Sequence, residues 1–140
     1  MATTWKAPPH GWFKANWDIG VDSKRGQVGL GAVIHDQHGK MWVSKSQTQQ
    51  GFLDPSAAEA MAALMAVQLC MEMGIQQVQL EGDAKNVIVA VNSKEPDKSG
   101  RGQLTEDIRS TLQVIPVWEM RNAHREENKV AHALSWFGYL

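Results

Sequence analysis

SAAEAMAALMAVQLCM, residues 56–71, is an alanine- and methionine-rich run in which Glu59 is the only charged residue. Asp54-Pro55-Ser56 before it and Gly74 after it are start and stop signals, so the spacing predicts a helix to Met73. Upstream, residues 12–20 alternate. Lys14, Asn16 and Asp18 face one way and Phe13, Ala15 and Trp17 the other, which is strand periodicity with a half-solvated polar face. QVGLGAVIHD (27–36) and KMWVSKSQTQ (40–49), joined by a turn at Gln37-His38-Gly39, complete an antiparallel three-strand meander.

Downstream of the helix, IQQVQLEG (75–82) reads as a strand and AKNVIVAVN (84–92) as a short helix. A loop follows over 93–102, where Pro96, Gly100 and Gly102 fall. Then come a helix at 103–113, a strand at 115–121 and a last helix from Glu126 to Phe137, with Val130, Leu134 and Phe137 as its core stripe. The order is β-β-β-α-β-α-α-β-α. Strands that arrive after helices should run parallel to the first, giving an α/β fold with a five-stranded mixed sheet flanked by helices. Ligands of such sheets gather at the carboxyl ends of the parallel strands. Asp18 and Asp83 fall at those ends on strands that can be neighbours.

The 140 residues fit one domain with its core over about 12–137; 43% hydrophobic and 21% charged residues describe a globular chain. A net charge of −1 gives no broad basic surface, although bound metal ions can meet phosphates where side chains do not. Cys70, the only cysteine, is expected to be a buried, inert thiol in a reducing compartment. Six tryptophans are read as apolar payload for a small core. The first residues lack an apolar signal core and no run approaches a membrane span, so a soluble intracellular protein, in cytoplasm or nucleus, is expected.

Each of the three acids has a structural explanation. Ser56-x-x-Glu59 matches a capping box, which would stabilise the helix start by roughly 1 kcal/mol. Asp83 can cap the helix at 84–92, and Asp18 can lie on a solvated strand face. Their joint placement is what those explanations leave out, because acids gathered at strand ends and a helix start bind hard cations. Ile19-Gly20 after Asp18 is permissive loop chemistry that would let the backbone approach a substrate. In the last helix Asn128 and His132 share a face, with Arg125 in line just before it.

NWDIG (16–20), SAAEAMAAL (56–64), LEGDAKNV (80–87) and HREENKVAHALS (124–135), in this order, resemble the ribonuclease H family. The likeness is to the reverse-transcriptase-like ribonuclease H domains abundant in plants, found alone and attached to non-LTR retroelements. It runs from about Trp12 to Phe137. The resemblance implies a catalytic, metal-ligating set of Asp18, Glu59, Asp83 and His132, the last in place of a frequent Asp. It also implies substrate contacts from Arg125 and Asn128, with Ser56 and Gly20 as further candidates.

The implied activity is hydrolysis of the RNA strand of an RNA/DNA hybrid by an endonuclease using magnesium or manganese. Two ions about 4 Å apart would activate the water and stabilise the leaving oxygen. A monomer with no membrane association is expected. Three departures bear on this: Ile19 where many members have Gly, Ala84 for a frequent Ser, and His132, whose softer imidazole suits manganese. The basic handle is limited to Lys94, Lys98 and Arg101. These departures leave two alternatives: a catalytically weak or inactive module that binds nucleic acid or protein, and a 3′–5′ exonuclease. The exonuclease reading is the weaker, because Gly20 stands where such enzymes place a second acid.

Overall fold

The computed structural model describes residues 5–51 and 54–137, without the side chains of Leu134, Trp136 and Phe137. The meander is β1 (Phe13–Asp22), β2 (Gln27–His35) and β3 (Met41–Gln50), followed by helix α1 (Pro55–Glu72). Then come β4 (Gln77–Gly82), α2 (Lys85–Asn92), α3 (Gly102–Leu112) and β5 (Val117–Asn122). The sheet order is β3-β2-β1-β4-β5. β1 pairs antiparallel with β2 and parallel with β4, and β4 pairs parallel with β5. Mixed sheet and element order both match the sequence reading.

The last segment differs. The expected single helix from Glu126 is a 3₁₀ turn, Arg125–Asn128, followed by α4 (Lys129–Phe137). The tighter turn carries Asn128 into the interior, where it is buried. Among the described side chains of α4, Ala131 and Ser135, one turn apart, are fully buried. Val130, expected in the core stripe, is instead 47% exposed. Leu134 and Phe137, the other members of that stripe, lie outside the described side chains.

α1 packs on the sheet through small residues. Ala58, Ala60, Ala62, Ala63 and Ala66 are all fully buried, which lets the helix backbone approach the sheet closely. Gly74 ends it at φ 69°, and the Ile75 N–H reaches back to the Cys70 carbonyl. Cys70 is buried, and burial pushes its thiol up to about 12. That is the inert thiol expected. The tryptophan expectation holds only in part. Trp17 is fully buried, but Trp42 is 52% exposed, its Nε1 donating to Asp36 Oδ2 at 2.8 Å. No helix among the described residues is long and apolar enough to cross a membrane.

The polar face of β1 is the main departure. Lys14, Asn16 and Asp18 are all buried, so both faces of this central strand are covered. α4 lies across β1, β2 and β3 on this side. The lead-in Trp5 covers the strand's beginning, with Lys14 Nζ 5.2 Å from the centre of its ring. Buried polar groups need partners. Lys14 Nζ has two, the Glu81 carboxylate at 2.8 Å and the Lys6 carbonyl at 2.6 Å.

Candidate metal centre

The β1–β4 ladder runs from Phe13 opposite Val78 to Asn16 opposite Glu81. Two residues beyond that last pair, the strands deliver Asp18 and Asp83 side by side. β1 continues beyond the ladder paired only with β2, with Asp18 opposite Gly31. The sheet therefore opens at the carboxyl end of β4, and the second turn of α1 places Glu59 over the opening.

Asp18, Glu59 and Asp83 each offer a carboxylate oxygen, and these oxygens all lie within 4.8 Å of one another. Asp18 Oδ1 accepts the Ile19 N–H at 2.8 Å. Burial raises the Asp18 pKa, the Ile19 hydrogen bond opposes this, and the Asp83 charge adds to it. Burial also drives Glu59 up to about 8, helped by the charges of Asp83 and Asp18. Glu59 Oε2 is buried with no well-formed hydrogen bond; the Trp17 indole, whose Nε1 is likewise unpaired, is the one influence that lowers the Glu59 pKa.

An orphaned buried carboxylate oxygen beside two further acids is an arrangement that a hard divalent cation satisfies. The donor set is all oxygen, which suits magnesium or manganese. The residues present therefore fit such an ion.

The capping box is not formed. Asp54 is the N-cap residue of α1, and no side chain caps the helix start. Ser56 Oγ instead accepts from Asn86 Nδ2 at 2.9 Å and from Arg101 at 2.6 Å, tying α1 to α2 and to the loop before α3. Freed from the cap, Glu59 turns into the cleft. Asp83 is likewise no cap, because α2 has Ala84 at that position and no side-chain capping bond.

His132 stands one step back from the ion position. It lies outside the group of three mutually close acids, and its Nδ1 is 3.0 Å from Asp18 Oδ2. The imidazole thus meets the site through Asp18.

The expected substrate residues divide. Arg125 is exposed in the 3₁₀ turn. Asn128 is 1% exposed and has no open path to a substrate. Its Nδ2 donates to the Trp17 carbonyl at 2.6 Å, and its Oδ1 accepts from Asn16 Nδ2 at 3.1 Å. Gly20 is not in a loop. It is buried within β1 opposite Gly29, because β1 runs on to Asp22. Ser56 lines the groove, with its hydroxyl oxygen already accepting two donors. Of the basic handle, Lys94 and Lys98 are exposed, while Arg101 is engaged with Ser56 and with Asp97 at 3.5 Å.

Glu59 and Asp83 open onto a groove of about 590 Å³ that is also lined by Ser56, Lys85 and Asn86, with Asp18 buried behind them. Lys85 and Asn86 also line an adjoining groove of similar volume that holds Lys98 and Arg101. The sequence reading missed Lys85 and Asn16. Lys85 had a signal, a cation two residues after Asp83 in the first turn of a helix. Asn16 shares a strand face with Asp18, but alternation alone assigns that face to solvent.

The family described as reverse transcriptase-like matches residues 16–138. No curated protein matches the chain. Among solved structures it is similar to the RNase H1 of the halophilic archaeon Halobacterium salinarum NRC-1, with a TM-score of 0.82 and 19% identity over 91% of this chain and 97% of that one. It is also similar to the N-terminal RNase H domain of a Mycobacterium tuberculosis protein, solved as a fusion, with a TM-score of 0.81 and 16% identity over 91% and 92%. LC11-RNase H1 in complex with an RNA/DNA hybrid gives a TM-score of 0.71 and 20% identity over 87% and 92%. With the family matching from the strand that carries Asp18 to the end of α4, the chain belongs to the reverse transcriptase-like family and carries the ribonuclease H fold.

Proposed function

We propose that the protein is a metal-dependent endoribonuclease that hydrolyses the RNA strand of RNA/DNA hybrids. The observation that carries this reading is the convergence of Asp18, Glu59 and Asp83 oxygens to within 4.8 Å, on residues 65 positions apart from first to last. The hybrid bound to LC11-RNase H1 supports the substrate class, since that protein shares the fold.

In this reading Asp18, Glu59 and Asp83 hold magnesium or manganese. Bound divalent ions supply an activated water and stabilise the leaving 3′ oxygen, leaving 5′-phosphate and 3′-hydroxyl ends. His132 fixes the orientation of Asp18 through its Nδ1. Lys85 and Arg125 meet backbone phosphates, and Ser56 borders the strand's path. RNA is distinguished by its 2′-hydroxyls along a shallow minor groove, with little sequence preference. The protein acts as a monomer inside the cell, in cytoplasm or nucleus, consistent with an unpaired buried Cys70.

The test is incubation of a labelled RNA/DNA hybrid with the protein in magnesium and in manganese, beside single-stranded and duplex controls. Hybrid-selective cleavage is expected. Asp18→Asn is expected to abolish it with the circular dichroism spectrum unchanged, and cleavage at the wild-type rate by that variant would refute the assignment.

A second reading, a binding module of the same fold, is favoured by one observation: His132 lies outside the cluster of three mutually close acids and meets Asp18 Oδ2 instead, so its imidazole adds no fourth ligand beside them. Hybrid binding without cleavage in either metal would select it.

A further inference from the structure

A chain of hydrogen bonds, part-buried at Trp5 and buried further in, runs from the lead-in segment to the strand that carries Asp18. The Trp5 indole Nε1 donates to Asn16 Oδ1 at 3.1 Å, and Asn16 Nδ2 donates to Asn128 Oδ1 at 3.1 Å. Asn128 Nδ2 donates to the Trp17 carbonyl at 2.6 Å, the peptide oxygen immediately before Asp18. Asn128 ends the 3₁₀ turn that feeds α4, and His132 lies one helical turn further on against Asp18. Each amide in this chain uses its oxygen to accept and its nitrogen to donate, so the order of groups fixes both amide orientations.

The lead-in is anchored independently of that chain. Lys14 Nζ meets the Lys6 carbonyl at 2.6 Å and lies over the Trp5 ring, which in turn packs against the His35 imidazole at 4.7 Å between ring centres. Trp5 and its neighbours lie outside the region that the family matches, which begins at Asn16.

We infer that the Trp5–Pro9 segment is a strap with a positioning role. Through the Trp5 N–H it locks Asn16 and Asn128, and so sets α4 in the register that seats His132 on Asp18. Trp5 and Asn16 are positioning residues, since neither lines the groove at the acids. The expected loss of catalysis rests on the nuclease reading above; the ordering of His132 does not. Without the Trp5 N–H but with a ring still in place, Asn16 Oδ1 loses its donor in a buried setting, and the amide pair can turn over. A misplacement of about 1 Å, even from a change remote from the chemistry, is enough to lower turnover strongly.

The experiment compares wild type with Trp5→Phe, which keeps a ring over His35 and Lys14 and deletes the N–H, and with Asn16→Ser. Ile108→Val, a core change in α3 away from the site, controls for stability loss alone. Hybrid cleavage in manganese gives kcat and KM, and the NMR signals of the His132 ring report its order. Trp5→Phe and Asn16→Ser are expected to lower kcat about tenfold with KM within about twofold, and to split or broaden the His132 signals. Ile108→Val should leave both at wild-type values.

Wild-type kcat in both strap variants, or lowered kcat with unaltered His132 signals, would overturn the inference. If wild type cleaves no hybrid, the nuclease reading fails, and the His132 signals alone decide the strap. If Asn16→Ser does not fold, Trp5→Phe decides by itself.

Discussion

Glu59 holds its proton to about pH 8 because burial penalises its charged form, with Asp83 and Asp18 adding repulsion. Below its ordinary value of 4.5 the folded and unfolded chains are both protonated there, and Glu59 costs nothing. Between 4.5 and about 8 only the unfolded chain ionises, so metal-free stability falls as pH rises, by up to about 1.4 kcal/mol per pH unit from this residue. Glu59→Gln removes that slope. In the presence of a chelator, its melting temperature relative to wild type is expected to climb from pH 5 to pH 8; a constant difference would mean that Glu59 ionises freely. His132 allows a second test at the same scale. His132→Asp exchanges the imidazole beside Asp18 Oδ2 for a further oxygen donor, which suits a hard cation. Cleavage in magnesium is expected to be retained or raised, and loss of activity in both metals would show that the imidazole has a separate task. The acid trio was legible because each member sits awkwardly: Glu59 alone in an apolar run, Asp18 in mid-strand, and Asp83 at a strand end. Their local roles were not legible. Ser56-x-x-Glu59 is the same string whether it caps a helix or not, and what decided against the cap was a pair of donors from Asn86 and Arg101, 30 and 45 residues away.

Elements meet most tightly where β4 ends. A Cβ built on Gly82 would come within 2.2 Å of the Trp17 ring, which is fully buried and has no room to retreat. Gly82 lies next to Asp83, and Trp17 lies next to Asp18. Gly82→Ala is therefore expected to destabilise by about 3 kcal/mol through overpacking. It should also weaken manganese binding, measured by calorimetry on the folded fraction, because the strand ends that carry two of the acids are forced apart. Unchanged melting temperature and metal affinity would show that the ring moves aside at no cost. The sheet order and the parallel entry of β4 and β5 could be read from periodicity and from helices intervening between strands. The cover over Lys14, Asn16 and Asp18 could not. Alternation marks a polar face but says nothing about which distant segment lies on it, and here the segments are residues 5–10 and 125–137. Val130 was misread for a related reason. Val130 is the more apolar residue, but Asn128 is pinned to Trp17 and the helix rotates to place Ala131 and Ser135 inward.

At the scale of the molecule, a net charge of −1 means that the proposed hybrid binding would rest on a few cations. Lys85, Lys98 and Arg125 are the exposed ones nearest the grooves or on the final turn. If about three phosphates are neutralised, raising salt from 50 to 200 mM should weaken hybrid binding roughly forty-fold, because counterion release scales with the number of contacts. A response below about threefold, measured by fluorescence anisotropy on Asp18→Asn, would point to recognition by other forces. The long reach of the site also bears on how the chain is made. A ribosome has delivered every acid of the trio once Asp83 emerges, but the amide that grips the Trp17 carbonyl comes 45 residues later, at Asn128. Until then the nascent protein carries Asp18 on a central strand with one side unroofed.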